Sequence, residues 1–246
     1  MHSRTTGGLF ARFTLALTAA AAVVTFAAAC SDSTGPVPFK KAAYLRSEAG
    51  GAPWGETTNE DAMDQAFGVG EWDDLRYETV NVDTLFSVYT FIFFEGSDYD
   101  ADEMEAFITA NHTRMESFVS GGRRVLINAA PNEGDGMSFG FGVTLQFEYY
   151  TDSVEAVTST HPIFAAADTT IFTGGSFGHA TVTGTGLTAI IQEKGNPAKV
   201  VLATKAFGQG RALFGGMTTD NYHAPQPAAH ELRINILRYA AGRPLP

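Results

Sequence analysis

The chain has 246 residues, with 16 basic against 27 acidic side chains and a formal charge of −11. That balance repels DNA, RNA and anionic lipid headgroups, so nucleic-acid binders are excluded. Glycine (26) and phenylalanine (19) are abundant, which suits tight strand–loop corners around an aromatic core.

Residues 1–29 read as a removable leader. Arg4 and Arg12 give it a positive start. Phe13 to Ala29 is an Ala/Val/Leu/Phe stretch broken only by Thr14, Thr18 and Thr25, short and weakly apolar for a membrane span. Ala27-Ala28-Ala29 supplies the small residues a signal peptidase needs, and the only cysteine, Cys30, follows directly. The segment resembles a bacterial lipoprotein signal in which the Cys30 sulfur carries diacylglycerol. The resemblance implies a cell-envelope protein attached to the membrane by its lipid. Ordinary cleavage after Ala29, giving a secreted soluble protein, is the alternative. With Cys30 lipidated, disulfides, zinc thiolates and a cysteine nucleophile all drop out. Removing 30 of the 246 residues leaves 216, with 14 basic and 27 acidic side chains and a charge of −13. That is enough chain for one α/β domain, expected over residues 41–246. Residues 30–40 read as the lipidated cysteine and a polar tether.

Ala42 to Leu45 fits a first strand. A loop with Trp54 follows, then a helix capped by Asn59 and stopped by Gly68. Tyr77 to Val82 alternates as a second strand. Tyr89 to Phe94 is a continuous apolar run, as expected for a strand buried on both faces. Met104, Phe107, Ile108, Met115, Phe118 and Val119 form one apolar helical stripe that Gly121-Gly122 ends. Val125 to Ile127 is the next buried strand, completing a β-α-β unit. The second half is a series of short strands: Phe147 to Tyr150, Ala180 to Thr183, Thr188 to Gln192, Val200 to Ala203 and Arg211 to Phe214. Hairpin turns are expected at Gly195-Asn196-Pro197 and Gly208-Gln209-Gly210. Ala228 to Ala241 is a final amphipathic helix.

Four phrases in this order resemble a known family. They are Phe91 to Ser97 with its helix and Gly121 to Leu126, Thr160-His161-Pro162-Ile163-Phe164, the hairpin Val200 to Phe214, and Gly215 to His223 leading into Asn235-Ile236-Leu237. The chain is similar to the class I glutamine-amidotransferase-like superfamily, in its trehalose-utilisation-like, non-amidotransferase branch. The resemblance implies an α/β, flavodoxin-like, mostly parallel sheet with helices on both faces and a hairpin-rich C-terminal half. It does not carry amidotransferase chemistry. Those enzymes need a cysteine at a strand-to-helix elbow, and here the strand runs into Asn128-Ala129-Ala130.

Other motifs are weak. Gly136 to Gly140 and Gly174 to Gly178 match G-x-S-x-G, yet neither leads into a helical pattern. Gly184 to Ala189 matches a dinucleotide fingerprint but sits between strands. Asp98, Asp100 and Asp102 start like a calcium loop, but Glu103 and Thr109 stand where glycine and glutamate are required. Helix capping explains those acids better. No metal or cofactor motif emerges.

In open α/β sheets ligands bind beyond the carboxyl ends of the parallel strands. That rule selects Trp54, Glu95, Ser97, Asn128 and Asn132, joined by Thr218, Thr219, Asn221 and His223. The set suits a neutral polar ligand such as a sugar. A catalytically degenerate domain that binds such a ligand or an envelope protein is the leading expectation. A hydrolase of glycan or another envelope substrate, using Glu95 and His223 as acid and base, is the alternative. A pure interaction module would instead expose an apolar patch. For the anchor, mass spectrometry of the native protein should find a diacylglyceryl N-terminus at Cys30, and Cys30→Ser should release the protein from membranes. An unmodified mature N-terminus would refute it.

Overall fold

The computed structural model describes residues 41–147, 150–165 and 167–246. The leader, Cys30 and the tether lie outside them. So do Glu148 and Tyr149 of the strand expected at Phe147 to Tyr150.

In chain order the elements are β1 (Ala42–Arg46), α1 (Thr58–Phe67), β2 (Trp72–Arg76), α2 (Val82–Val88), β3 (Phe91–Glu95), α3 (Ala101–Ser120) and β4 (Arg124–Asn128). There follow β5 (Met137–Gly140), β6 (Val143–Gln146), β7 (Thr151–Ala156), β8 (Ile171–Gly178), β9 (Thr181–Gly184), β10 (Thr188–Glu193), β11 (Asn196–Phe207), β12 (Gly210–Gly215), β13 (His223–Ala224) and α4 (Ala228–Ala241).

The flavodoxin-like, mostly parallel sheet does not form. The large sheet is mixed, ten-stranded, in the order β13-β8-β7-β10-β11-β12-β4-β3-β1-β2. Only the block β12-β4-β3-β1-β2 is parallel. From β13 to β12 every pairing is antiparallel. A second, three-stranded antiparallel sheet, β5-β6-β9, stands apart from it. The reason is connection length. A parallel pair needs a crossover, usually a helix, whereas strands joined by tight turns must reverse. Between Asn128 and Ala228 no α-helix forms among the described residues, so this stretch folds into reversing strands. Gly195 and Gly208 make those reversals with φ of 75° and 58°, values that glycine adopts without strain.

The first half obeys the β-α-β logic. β3 and β4 are adjacent and parallel, with Phe91 opposite Arg124 and Glu95 opposite Asn128. On one face of the sheet α1 and α4 pack Met63, Phe67, Leu232 and Ile236 against Tyr44, Phe91, Phe93, Leu126 and Leu213. On the other, α3 and the small sheet pack Phe107, Met115, Phe139 and Leu145 against Ile92, Phe94, Ile127 and Phe214.

Two local expectations fail. The strand expected at Tyr77 to Val82 is a turn leading into α2, whose first turn is capped when Thr84 N–H donates to Asn81 Oδ1 at 2.9 Å. The second strand lies earlier, at Trp72–Arg76, where acids mask the pattern: Asp73 pairs with Lys41, and Asp74 with Arg46 and Arg76. Asn59 does not cap α1 either; its amide points inward to Glu95 and Tyr44.

Phe107 is 7% exposed and packs its ring 5.3 Å from Tyr77 and 6.2 Å from Phe94. Phe107→Ala should therefore cost about 3–5 kcal/mol in chemical denaturation, chiefly through lost burial and the cavity left behind. A loss comparable to that of an exposed substitution would contradict this packing.

Candidate functional site

The polar residues at the carboxyl ends of β3, β4 and β12 meet, but as an internal seam. Glu95 is 1% exposed. Its carboxylate accepts from Asn59 Nδ2 and from the Ser97 backbone N–H, each at 2.8 Å. Ser97 Oγ accepts the Ala130 N–H at 3.0 Å. The Asn128 amide donates to the Met217 carbonyl at 2.8 Å and accepts the Met217 N–H at 3.1 Å. Thr218 Oγ1 donates to the Ser176 carbonyl at 3.0 Å and lies 2.8 Å from His223 Nε2. The His223 ring stacks on Phe177 with centroids 3.8 Å apart. Arg233 of α4, also buried, donates to the Thr218 carbonyl. Thr219 is buried beside this seam.

Burial sets the electrostatics. It pushes the Glu95 carboxyl upward, against the pull of Ser97, Arg233 and Asn59. Burial, and then the Arg233 charge, holds His223 well below the usual histidine range, so it is neutral at pH 7. Glu95 and His223 thus sit in one polar layer, and both are buried.

Asp100 lies next to this layer, 1% exposed. It occupies the N-cap position of α3, but its side chain makes no capping bond. Glu133 does that work, accepting the Ala101 and Asp102 N–H groups at 3.0 and 3.3 Å. Burial and the charges of Glu95 and Glu103 raise the Asp100 pKa to about 8, despite Arg46 and the Ser47 backbone. Gly50 makes room for it, since a Cβ there would stand 2.0 Å from Asp100 Oδ1.

Above the seam is a surface rim assembled from separate loops. Trp54 N–H donates to Asp98 Oδ2 at 2.9 Å, and Asn132 Nδ2 donates to Asp98 Oδ1 at 2.7 Å. The half-buried Trp54 ring stands edge-on to both His179 and Tyr222, each at 5.6 Å. Tyr150 is edge-on to His179 at 4.8 Å. Tyr150 and Tyr222 are 59% and 38% exposed, and Asn132 is exposed too. Burial lowers the His179 pKa, while the Pro131 carbonyl and Asp98 partly restore it. Trp54 and Asp98 both hold left-handed backbone, with φ of 54° and 57°. Such conformations cost non-glycine residues about 1–3 kcal/mol, and they cluster at functional sites.

Of the nine residues selected from sequence, the rim takes Trp54 and Asn132. Glu95, Ser97, Asn128, Thr218, Thr219 and His223 form or flank the seam beneath. Asn221 is exposed and accepts from Thr58 Oγ1 at 3.4 Å. Sequence reasoning missed Asp98, His179, Tyr150 and Tyr222. Asp98 carried a signal, as an acid a few residues past a strand end, but it read as a helix cap. The two G-x-S-x-G serines sit on strands β5 and β8, not at elbows. A groove of about 450 Å³ between α2 and α3, lined by Val82, Phe86, Arg114 and Phe118, includes no rim residue.

The sequence matches no family model and no curated protein. The fold is similar to part of a β-galactosidase from Rahnella sp. R3, at 12% identity and a TM-score of 0.51, over 84% of this chain and 32% of that one. A β-galactosidase from Bacillus circulans sp. alkalophilus gives 14% identity and a TM-score of 0.51, over 82% and 31%. The chain thus spans about a third of the length of these enzymes. A GMP synthase-type protein from Thermoplasma acidophilum gives 10% identity and a TM-score of 0.51, over 82% of this chain and 95% of that one. These likenesses establish a shared fold.

The raised pKa of Asp100 has a testable sign. A carboxyl whose folded pKa exceeds its unfolded value favours folding while protonated, so stability falls as pH rises from about 4 to about 8. Asp100→Asn should raise the unfolding midpoint at pH 8.5, by an increment worth a few kcal/mol, and the gain should vanish towards pH 4. Equal effects at both pH values would contradict the assignment.

Proposed function

We propose that the protein is a lipid-anchored cell-envelope protein whose mixed-sheet domain binds a sugar-like ligand at the Trp54 rim. On this reading the domain is a catalytically degenerate relative of the amidotransferase-like family. One observation carries the binding reading. Trp54, Tyr222, His179 and Tyr150 form a continuous series of rings beside the Asp98–Asn132 pair. An aromatic face accepts the apolar side of a sugar ring, and a carboxylate with an adjacent amide orients its hydroxyls. The domain's lack of a cysteine nucleophile supports the degenerate reading, since the only cysteine is Cys30 and β4 leads to a buried asparagine.

A glycan-hydrolase reading draws on the raised carboxyl pKa of Glu95 and Asp100, a property that suits a general acid. Their burial opposes it, because a general acid must reach the glycosidic oxygen.

Titration calorimetry against a panel of envelope oligosaccharides tests both. Trp54→Ala should weaken binding at least tenfold while leaving the melting temperature nearly unchanged, because a half-buried loop tryptophan contributes little core. Glu95→Gln should leave binding intact. Unchanged affinity in Trp54→Ala would sink the rim assignment. Turnover that Glu95→Gln abolishes would establish the hydrolase.

A further inference from the structure

Several cations of this acidic protein are gathered at one end. Arg211 and Arg124 stand opposite each other in the parallel pairing of β12 and β4, at the amino ends of both strands. Both side chains turn to the face covered by α4. The Arg211 guanidinium lies 5.2 Å from the Tyr239 ring centroid. Arg124 packs so close to Gly242, just past α4, that a Cβ there would be 2.7 Å from its Cζ. Like charges in register repel, and among the described residues neither arginine forms an ion pair. Burial and the Arg211 charge together lower the Arg124 pKa, and the same two causes lower that of His161. Arg238 and Arg243 extend the cluster, donating to the Gln65 and Ala66 carbonyls at the end of α1.

The bland explanation is helix capping. Arginines are favoured at helix C-termini, and that accounts for Arg238 and Arg243. It leaves Arg124 and Arg211 without an acidic partner, repelling each other at an energetic cost. A surface that keeps such a pair has a use for their charge.

We propose that this arginine-bearing end of the sheet docks on anionic phospholipid headgroups and turns the aromatic rim away from the bilayer. The proposal rests on the envelope reading above. Guanidinium groups take phosphate oxygens in pairs, which an ammonium cannot. The net charge of −11 opposes such docking at long range, and Glu71 near Arg243 and Asp73 on Lys41 temper it locally, so the contact is a short-range one made by the arginines themselves. Lys41 stands one residue before β1, at this same end of the sheet. Residues 30–40 span at most about 40 Å when extended, so a lipid on Cys30 would keep the domain within that reach of the bilayer.

The test uses the full mature chain carrying Cys30→Ser, which cannot be lipidated, so that only the protein surface can bind. It is floated with phosphatidylcholine vesicles, with or without phosphatidylglycerol, at low and high salt. Binding is expected with phosphatidylglycerol at low salt, and loss of binding at high salt or with phosphatidylcholine alone. Each cation near an anionic surface is worth about fivefold in partitioning, so Arg124→Gln with Arg211→Gln should weaken binding about 25-fold. Arg211→Gln alone, which removes the contact with Tyr239, should give about fivefold. Lys194→Gln, at the far tip of the β10–β11 hairpin, should change nothing. Melting curves confirm that each variant is folded. Failure to bind anionic vesicles at low salt, equal binding to both vesicle types, or wild-type binding by Arg211→Gln would overturn the proposal. The lipid anchor is read separately, by mass spectrometry at Cys30, so the two ideas fail independently.

Discussion

The Asn128 side chain holds the carboxyl ends of the parallel block together. Its amide bonds Met217 in both directions, at 2.8 and 3.1 Å, and so ties the end of β4 to the chain leaving β12. Ser97 closes the same gap from the β3 side. All three strand ends are buried, where an unpaired backbone group costs about 1–3 kcal/mol. No apolar residue could replace the amide without orphaning two backbone groups at once. Everything above depends on this seam: the loop that carries Asp98, the turn that brings Thr218 under His223, and thereby the rim that Trp54 and Tyr222 complete.

The seam also explains how far the sequence could be read. The rule that ligands gather beyond the carboxyl ends of strands selected residues that lie together at one end of the sheet. It did not foresee that most of them are buried there. Glu95, Ser97, Asn128 and His223 are residue types that serve a ligand or a buried backbone equally well, and one sequence does not say which. Depth here depends on what covers each group. Asn59 comes from α1 to Glu95, Met217 from beyond β12 to Asn128 and Phe177 from β8 to His223, and each is distant in the chain from the group it covers. The rim has the same property: Trp54, Asp98, Asn132, His179 and Tyr222 leave five separate loops, each short and plain alone.

The elements divide in a similar way. β3, α3, β4 and α4 were legible because each buries a continuous apolar run or stripe that no loop would carry. β2 was not, because it is an edge strand held by Lys41, Arg46 and Arg76 through Asp73 and Asp74. Charged edges are a known protection against stray strand pairing, and they erase the alternation that marks a strand. The error in sheet class has a different origin. The β-α-β unit from Phe91 to Asn128 was correct, and the resemblance extended its parallel character over the whole sheet. The hairpin turns read at Gly195 and Gly208 already argued for reversal, since such turns cannot join parallel neighbours.

The separation of charge between the two ends follows from that parallel block. Strands that share a direction force the helices between them to run the other way. α1 and α3 therefore end at the amino side of the sheet, and α4, which follows β12 down the same face as α1, ends there too. Their carbonyl-bearing ends favour cations, while their amide-bearing ends favour acids. Glu133 and Asp100 gather at the start of α3, and Arg238 and Arg243 at the end of α1. The net charge of −11 conceals this polarity because it averages over both ends. Topology thus sorts the charges before any partner is considered. The Arg124–Arg211 pair stands out against that background, because it lies beyond what the helix ends require.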